Sequence, residues 1–309
     1  MTAEIDVVGG DHEHTLGMSQ TRDGITIRYS TEPLMPVFER MIAERAYEAC
    51  EFSMANYIML KDRGADWLFA LPVFPQRAFR HSNLYVRRDS PIEHPSQLRG
   101  KRIGVPEYSM TLAVWMRGIL FDQYRVHWSE MHWTTGRKQR FPTLERVDVA
   151  ATDEDLERLL LDGQIDVLLA PRTRDAQLPA AERQLKSLIS DAQAAEEAFL
   201  AQTGIYPINH VVVVRADALE RLPNVARALF GAFRDCKAAA YKRRLGTTLV
   251  PWGARHWNRM FEKFGGDPLP YGMTASNQIT IRRLAEYLYD QKLTSGIPEI
   301  DSLFLPNVE

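Results

Sequence analysis

Gly100-Lys101-Arg102-Ile103-Gly104-Val105-Pro106-Glu107-Tyr108-Ser109-Met110-Thr111 reads as a short buried strand over 102–106 that turns into a helix over 110–123. The same strand-then-helix unit recurs on both sides. Strands are expected over 5–10, 25–29, 50–54, 67–73, 83–87, 131–135, 165–170 and 210–214. Helices are expected over 36–46, 55–63, 155–161, 192–202 and 225–242, with others near 257–264 and 278–288. Alternation of this kind belongs to an α/β fold with helices flanking open sheets. The order predicts two α/β units with the second inserted in the first: residues 1–84 and 211–309 in one lobe, 85–210 in the other. The strands near 83–87 and 210–214 are the expected crossings, and a ligand cleft is expected between the lobes.

Composition narrows the function classes. With 309 residues and 45% hydrophobic content, the chain has ample core. Lys and Arg number 38 against 40 Asp and Glu, which argues against a nucleic-acid partner. The most basic short run, Arg137-Lys138-Gln139-Arg140, reads as a solvated loop. No apolar run approaches the roughly 18 residues of a membrane span. The first residues carry neither a basic segment nor an apolar core, so a cytoplasmic protein is expected. Cys50 and Cys236 lack metal or redox spacing and read as buried free thiols.

Ligands of open α/β sheets gather past the carboxyl ends of strands. Those positions hold Gly10 to His14, Ser53, Phe74 to His81, Glu107 to Thr111, and Pro171-Arg172. In Phe74-Pro75-Gln76-Arg77-Ala78-Phe79-Arg80-His81-Ser82, two arginines and a histidine fall within five residues. Arg77, Arg80 and Arg172 are the candidate cations for a carboxylate ligand; either of the first two can instead serve a structural ion pair. Ser53 and Thr111 sit where helix N-termini favour an anion. His12, His14, His81 and His210 stand at strand ends or entries and titrate near neutral pH. Glu107 beside Tyr108 is an alternative proton donor if its pocket raises the carboxyl pKa. Asp11-His12-Glu13-His14 invites a metal reading, but further ligands in order are missing. Recognition of polar groups on a substrate is the expected use. No nucleophile elbow, catalytic triad order or phosphate loop is present.

The chain resembles the 4,5-dihydroxyphthalate decarboxylase family. The likeness is carried by Pro72-Val73-Phe74-Pro75 with Arg77 and Phe79-Arg80-His81-Ser82, and by Gly100 to Tyr108 with Met110-Thr111-Ala113-Val114-Trp115. Arg117-Gly118-Ile119-Leu120, Ala170-Pro171-Arg172, Thr203 to Val212 and Pro270-Tyr271-Gly272 with Asn277 extend it. The resemblance implies a two-lobed periplasmic-binding-protein type II scaffold and a small aromatic dicarboxylate as ligand. It implies loss of one carboxylate from 4,5-dihydroxyphthalate, giving protocatechuate and CO2 without an organic cofactor.

That chemistry needs a proton at the ring carbon, a base or acceptor near the para hydroxyl, and cations on the carboxylate that stays. His81, His210, His14 and Glu107 are the expected catalytic groups. Asp11, His12, Ser53, Arg77, Arg80, Tyr108, Thr111, Arg172 and Asn209 are the expected substrate contacts. After the first strand the family pattern reads Gly-Asp-Tyr-Asp-Arg, whereas this chain reads Gly10-Asp11-His12-Glu13-His14. That departure keeps a related hydroxyphthalate open as substrate. A rival reading is a solute-binding protein for an aromatic acid. The long helix over 225–242 and the aromatic tail offer surface for a homo-oligomer.

Overall fold

The alternation resolves into two six-stranded mixed sheets flanked by helices. The structure, a computed structural model, describes residues 3–136, 139–145, 147–246 and 250–308. The first sheet takes β1 (Ala3–Gly9), β2 (Gln20–Arg22), β3 (Ile25–Thr31), β4 (Ala49–Ser53) and β5 (Leu68–Leu71). The second takes β6 (Leu84–Arg87), β7 (Arg102–Val105), β8 (His132–Thr135), β9 (Val149–Ala151), β10 (Val167–Leu169) and β11 (Leu185–Ser187). The chain then returns to the first sheet with β12 (His210–Arg215). The strand orders are β2-β3-β1-β4-β12-β5 and β11-β6-β10-β7-β8-β9.

Helices α1 (Leu34–Glu44) and α2 (Met54–Asp62) follow β3 and β4, and α3 (Thr111–Tyr124) follows β7. Later come α4 (Leu156–Leu161), α5 (Ala192–Thr203), α6 (Ala216–Arg221), α7 (Val225–Leu245), α8 (Gly253–Phe264) and α9 (Ala275–Asp290). Among the described residues no helix is long and apolar enough to cross a membrane.

All five residues of β4 are buried because both faces of its sheet are covered. Cys50 and Phe52 face the α1–α2 side, and Ala49 faces the α7 side. β12 runs antiparallel to β4 with His210 opposite Ser53 and Val212 opposite Glu51. His210 and Glu51 are therefore diagonal neighbours on one face of the sheet, within reach of long side chains.

The strands near 83–87 and 210–214 do not cross between the lobes; each belongs to one sheet. The crossings are the extended segments just before them, which meet at an antiparallel bridge between Arg77 and Ile208. Asn209 N–H donates to Gln76 O at 2.9 Å, and Ala78 N–H to Pro207 O at 3.2 Å. Pro75 and Pro207 supply no N–H, which keeps this pairing from growing into a ladder.

One core runs through the junction. Phe52 and Tyr57 share it with Trp115 and Ile119 of α3 and Leu284 and Leu288 of α9. α9 lies against both α2 and α3, so this part of the tail straddles the two sheets. A Cβ at Gly118 would meet the Tyr287 ring at 2.2 Å, so glycine permits that close approach.

Candidate functional site

Between the sheets lies a cavity of about 690 Å3. The loop after β1 lines it with Gly10, Asp11 and His12, and the ends of β4 and β12 add Ser53 and His210. The crossing segments contribute Gln76, Arg80 and Asn209. Met110, Thr111, Leu112, Arg140, Pro171 and Arg172 close it from the second sheet, and Leu34, Met35 and Phe38 form an apolar wall.

Behind His12 and His210 lies Glu51, whose side chain is 2% exposed. Three donors converge on it. His12 Nε2 lies 2.9 Å from Oε2 and 3.2 Å from Oε1, His210 Nδ1 lies 2.5 Å from Oε1, and Gly10 N–H donates to Oε2 at 2.9 Å. Burial pushes the Glu51 carboxyl up, but the two imidazole hydrogen bonds and their charges outweigh it and hold it far below the carboxylate range. Burial pulls His12 down, yet its bond to Glu51 and the charges of Glu51 and Asp11 leave it above the ordinary histidine value. A Cβ at Gly10 would stand 2.5 Å from His12 Nε2, so only glycine lets the imidazole fold back over the chain. Phe38 meets the His210 ring edge-on at 5.1 Å.

The cavity also holds cations. Arg80 donates from Nε to Asn209 Oδ1 at 3.0 Å, and among the described residues no carboxylate pairs with it. Burial lowers its pKa to about 10. Arg172 is exposed at the rim with no hydrogen-bond partner among the described residues. Arg140 is ion-paired with Glu107, whose other oxygen accepts from Ser109 Oγ at 2.6 Å. Ser53 Oγ and Thr111 Oγ1, at the starts of α2 and α3, are 2.8 Å apart and tie the two sheets together across the cleft.

The cavity thus gathers Asp11, His12, Ser53, Arg80, Thr111, Arg172, Asn209 and His210. Five other expected site residues are placed elsewhere. His81 is fully buried, with Nε2 2.7 Å from Gln123 Oε1 and its ring near Phe199; burial lowers its pKa. Tyr108 lies under the Arg117 guanidinium at 3.8 Å, inside the second lobe. Arg77 is buried, bonded to Asn277 and set over the Phe74 ring, so it serves the crossing segment. Glu107 is held by Arg140 and Ser109, which leaves it no role as a free acid. His14 stacks on His12 at 5.0 Å and lines an adjoining cavity of about 660 Å3, which shares Asp11 and His12 with the first and reaches Tyr241 and Trp257. Burial, helped by the His12 charge, lowers its pKa to about 4, so it is neutral at neutral pH.

The residues read as binding or catalytic from sequence alone omit Glu51 and Arg140. Glu51 carries a signal: a lone carboxylate inside an otherwise apolar strand is tolerated only when paired. Arg140 read as part of a solvated loop; Arg137 and Lys138 of that run lie outside the described residues, whereas Arg140 lines the cavity. Among the described residues no group of three or more His, Cys, Asp or Glu side chains is arranged to hold a metal ion.

Comparison with known proteins bears on this geometry. The family model described as "ABC transporter, phosphonate, periplasmic substrate-binding protein" matches residues 18–248. The 4,5-dihydroxyphthalate decarboxylase of Comamonas testosteroni is 31% identical over 277 residues, covering 85% of this chain and 84% of its own. The 4,5-dihydroxyphthalate decarboxylase of Pseudomonas putida is 34% identical over 160 residues, 48% of this chain and 62% of its own. Among solved structures, the periplasmic aliphatic sulphonate binding protein SsuA from Escherichia coli superposes with a TM-score of 0.57 at 13% identity. It covers 100% of this chain and 99% of its own. The desulfurization enzyme DSZB superposes at 0.53 and 14% identity over 98% of this chain and 97% of its own. At such identities these two speak for the fold alone. By the relative that covers most of both chains, the chain belongs to the 4,5-dihydroxyphthalate decarboxylase family of carboxy-lyases, and by the family match it is built on the two-lobed scaffold of periplasmic substrate-binding proteins.

Proposed function

We propose that this protein removes one carboxylate, without oxidation, from a hydroxylated aromatic dicarboxylate, 4,5-dihydroxyphthalate, giving protocatechuate and CO2. The observation that carries the reading is the meeting of two unlike sets of groups in one cavity. Two imidazoles share one buried carboxylate, and Arg80 stands nearby without a carboxylate partner among the described residues.

An aryl carbanion is a poor intermediate, so the ring carbon bearing the departing carboxylate is protonated first. His12, held as imidazolium by Glu51, gives that proton. The para hydroxyl loses its proton to His210 Nε2 as its electrons enter the ring, forming a cyclohexadienone. His210 Nδ1 is already engaged with Glu51, which leaves Nε2 as the accepting nitrogen. The C–C bond then breaks, its electron pair restores the ring as a phenolate, and CO2 leaves. The phenolate recovers its proton from His210, and His12 is recharged from solvent. One proton is consumed per turnover. Arg80 and Arg172 hold the carboxylate that stays, Arg80 in an orientation fixed by Asn209.

Incubation of the purified protein with 4,5-dihydroxyphthalate, with chromatography of the products, tests the reading. Protocatechuate and CO2 in equal amounts support it. Tight binding without turnover would instead favour a solute-binding role.

A further inference from the structure

Arg140 spends Nε and Nη2 on Oε2 of Glu107, the Nε bond being 2.7 Å long. Ser109 Oγ occupies the other carboxylate oxygen at 2.6 Å, so the Glu107 carboxylate is fixed on both sides. The side chains of Arg140 and Glu107 are 13% and 10% exposed. What remains is Arg140 Nη1, which is buried and has no partner among the described residues. A buried N–H without an acceptor is costly, and this one belongs to a residue lining the cavity. Arg80, which lines the same cavity, offers a guanidinium that no carboxylate neutralises among the described residues.

These two arginines are unequal carboxylate receptors, and we propose that Arg140, braced by Glu107, is the specificity-determining residue for the second carboxylate of a vicinal dicarboxylate. The assignment of that carboxylate as the departing one rests on the decarboxylase reading. A departing carboxylate must shed its charge to become CO2, so a full cation on it would stabilise the ground state and raise the barrier. A charge-compensated arginine supplies a single directional hydrogen bond. That is enough to turn the carboxylate out of the ring plane, where its C–C bond overlaps the π system.

Calorimetric binding of phthalate and of benzoate, which lack the para hydroxyl the chemistry needs, tests the subsite apart from turnover. The expected result is that Arg140→Gln loses roughly tenfold to a hundredfold in phthalate affinity and less than about threefold in benzoate affinity. Arg80→Gln weakens both ligands. Since Arg140→Gln alone strands Glu107, the double variant Glu107→Gln with Arg140→Gln removes both charges and is expected to show the same selective loss. Unchanged phthalate affinity in the double variant, equal loss for both ligands, or no binding of either by the unaltered protein would overturn the subsite. Selective loss in a protein that does not turn over 4,5-dihydroxyphthalate would leave the subsite standing and overturn the decarboxylase reading.

Discussion

His210 Nδ1 lies 2.5 Å from Oε1 of Glu51, on a carboxylate that is 2% exposed. The register of β12 against β4 makes this contact, by setting the two residues on a diagonal of one sheet face. His12 reaches the same carboxylate from the loop after β1. A single buried anion therefore fixes two imidazoles that arrive from distant parts of the chain.

Glu51→Gln removes the charge that keeps His12 protonated. The His12 pKa is raised above its ordinary 6.5, so activity that needs its imidazolium is lost only as pH climbs past that raised value. In the variant the pKa falls back, and the alkaline limb of the kcat/KM profile is expected to move to lower pH. A loss of about 10²-fold in kcat accompanies it, and Glu51→Asp restores part of both. An unmoved alkaline limb would contradict the role given to Glu51.

Gly10→Ala places a methyl 2.5 Å from His12 Nε2 and 3.2 Å from Glu51 Oε2. The imidazole must shift, and kcat is expected to fall by about tenfold or more. Because the residue lies in the loop beyond β1, the thermal midpoint is expected to change little. Steady-state kinetics and a melting curve on the same preparation check both halves.

Arg80→Gln removes a cation that burial has already pulled to about 10. Its KM for the dicarboxylate is expected to rise roughly tenfold to a hundredfold. Stability is expected to hold or increase, since no carboxylate loses a partner. A lower melting point with unchanged KM would mark Arg80 as structural.

His81→Gln tests the placement of that ring outside the cavity, against Gln123 and Phe199. Turnover is expected within about threefold of the unaltered protein, whereas His210→Ala loses about 10²-fold or more.

The α/β alternation was legible because most strands and helices carry strong apolar patterns, and six of the eight expected site residues in the cavity follow from looking past strand ends. The three-residue edge strands β2, β9 and β11 are too short to show a period, whereas β10, equally short but inside its sheet, is marked by its apolar run. His81 and His210 look alike in sequence, each ahead of an apolar strand, but only His210 shares a sheet face with an acid. Glu51 was hidden because a strand covered on both faces has no polar side to mark. Arg140 was hidden because its function depends on Glu107, 33 residues away.

In this mechanism a protonated imidazole delivers hydrogen to the ring carbon before CO2 departs. Turnover of 4,5-dihydroxyphthalate in D2O, followed by proton NMR of the product, reads that step directly. The expected product is protocatechuate with one deuterium at the vacated ring position, formed by the unaltered protein and formed much more slowly by His12→Ala. Protocatechuate without deuterium at that carbon, or full activity in His12→Ala, would contradict it.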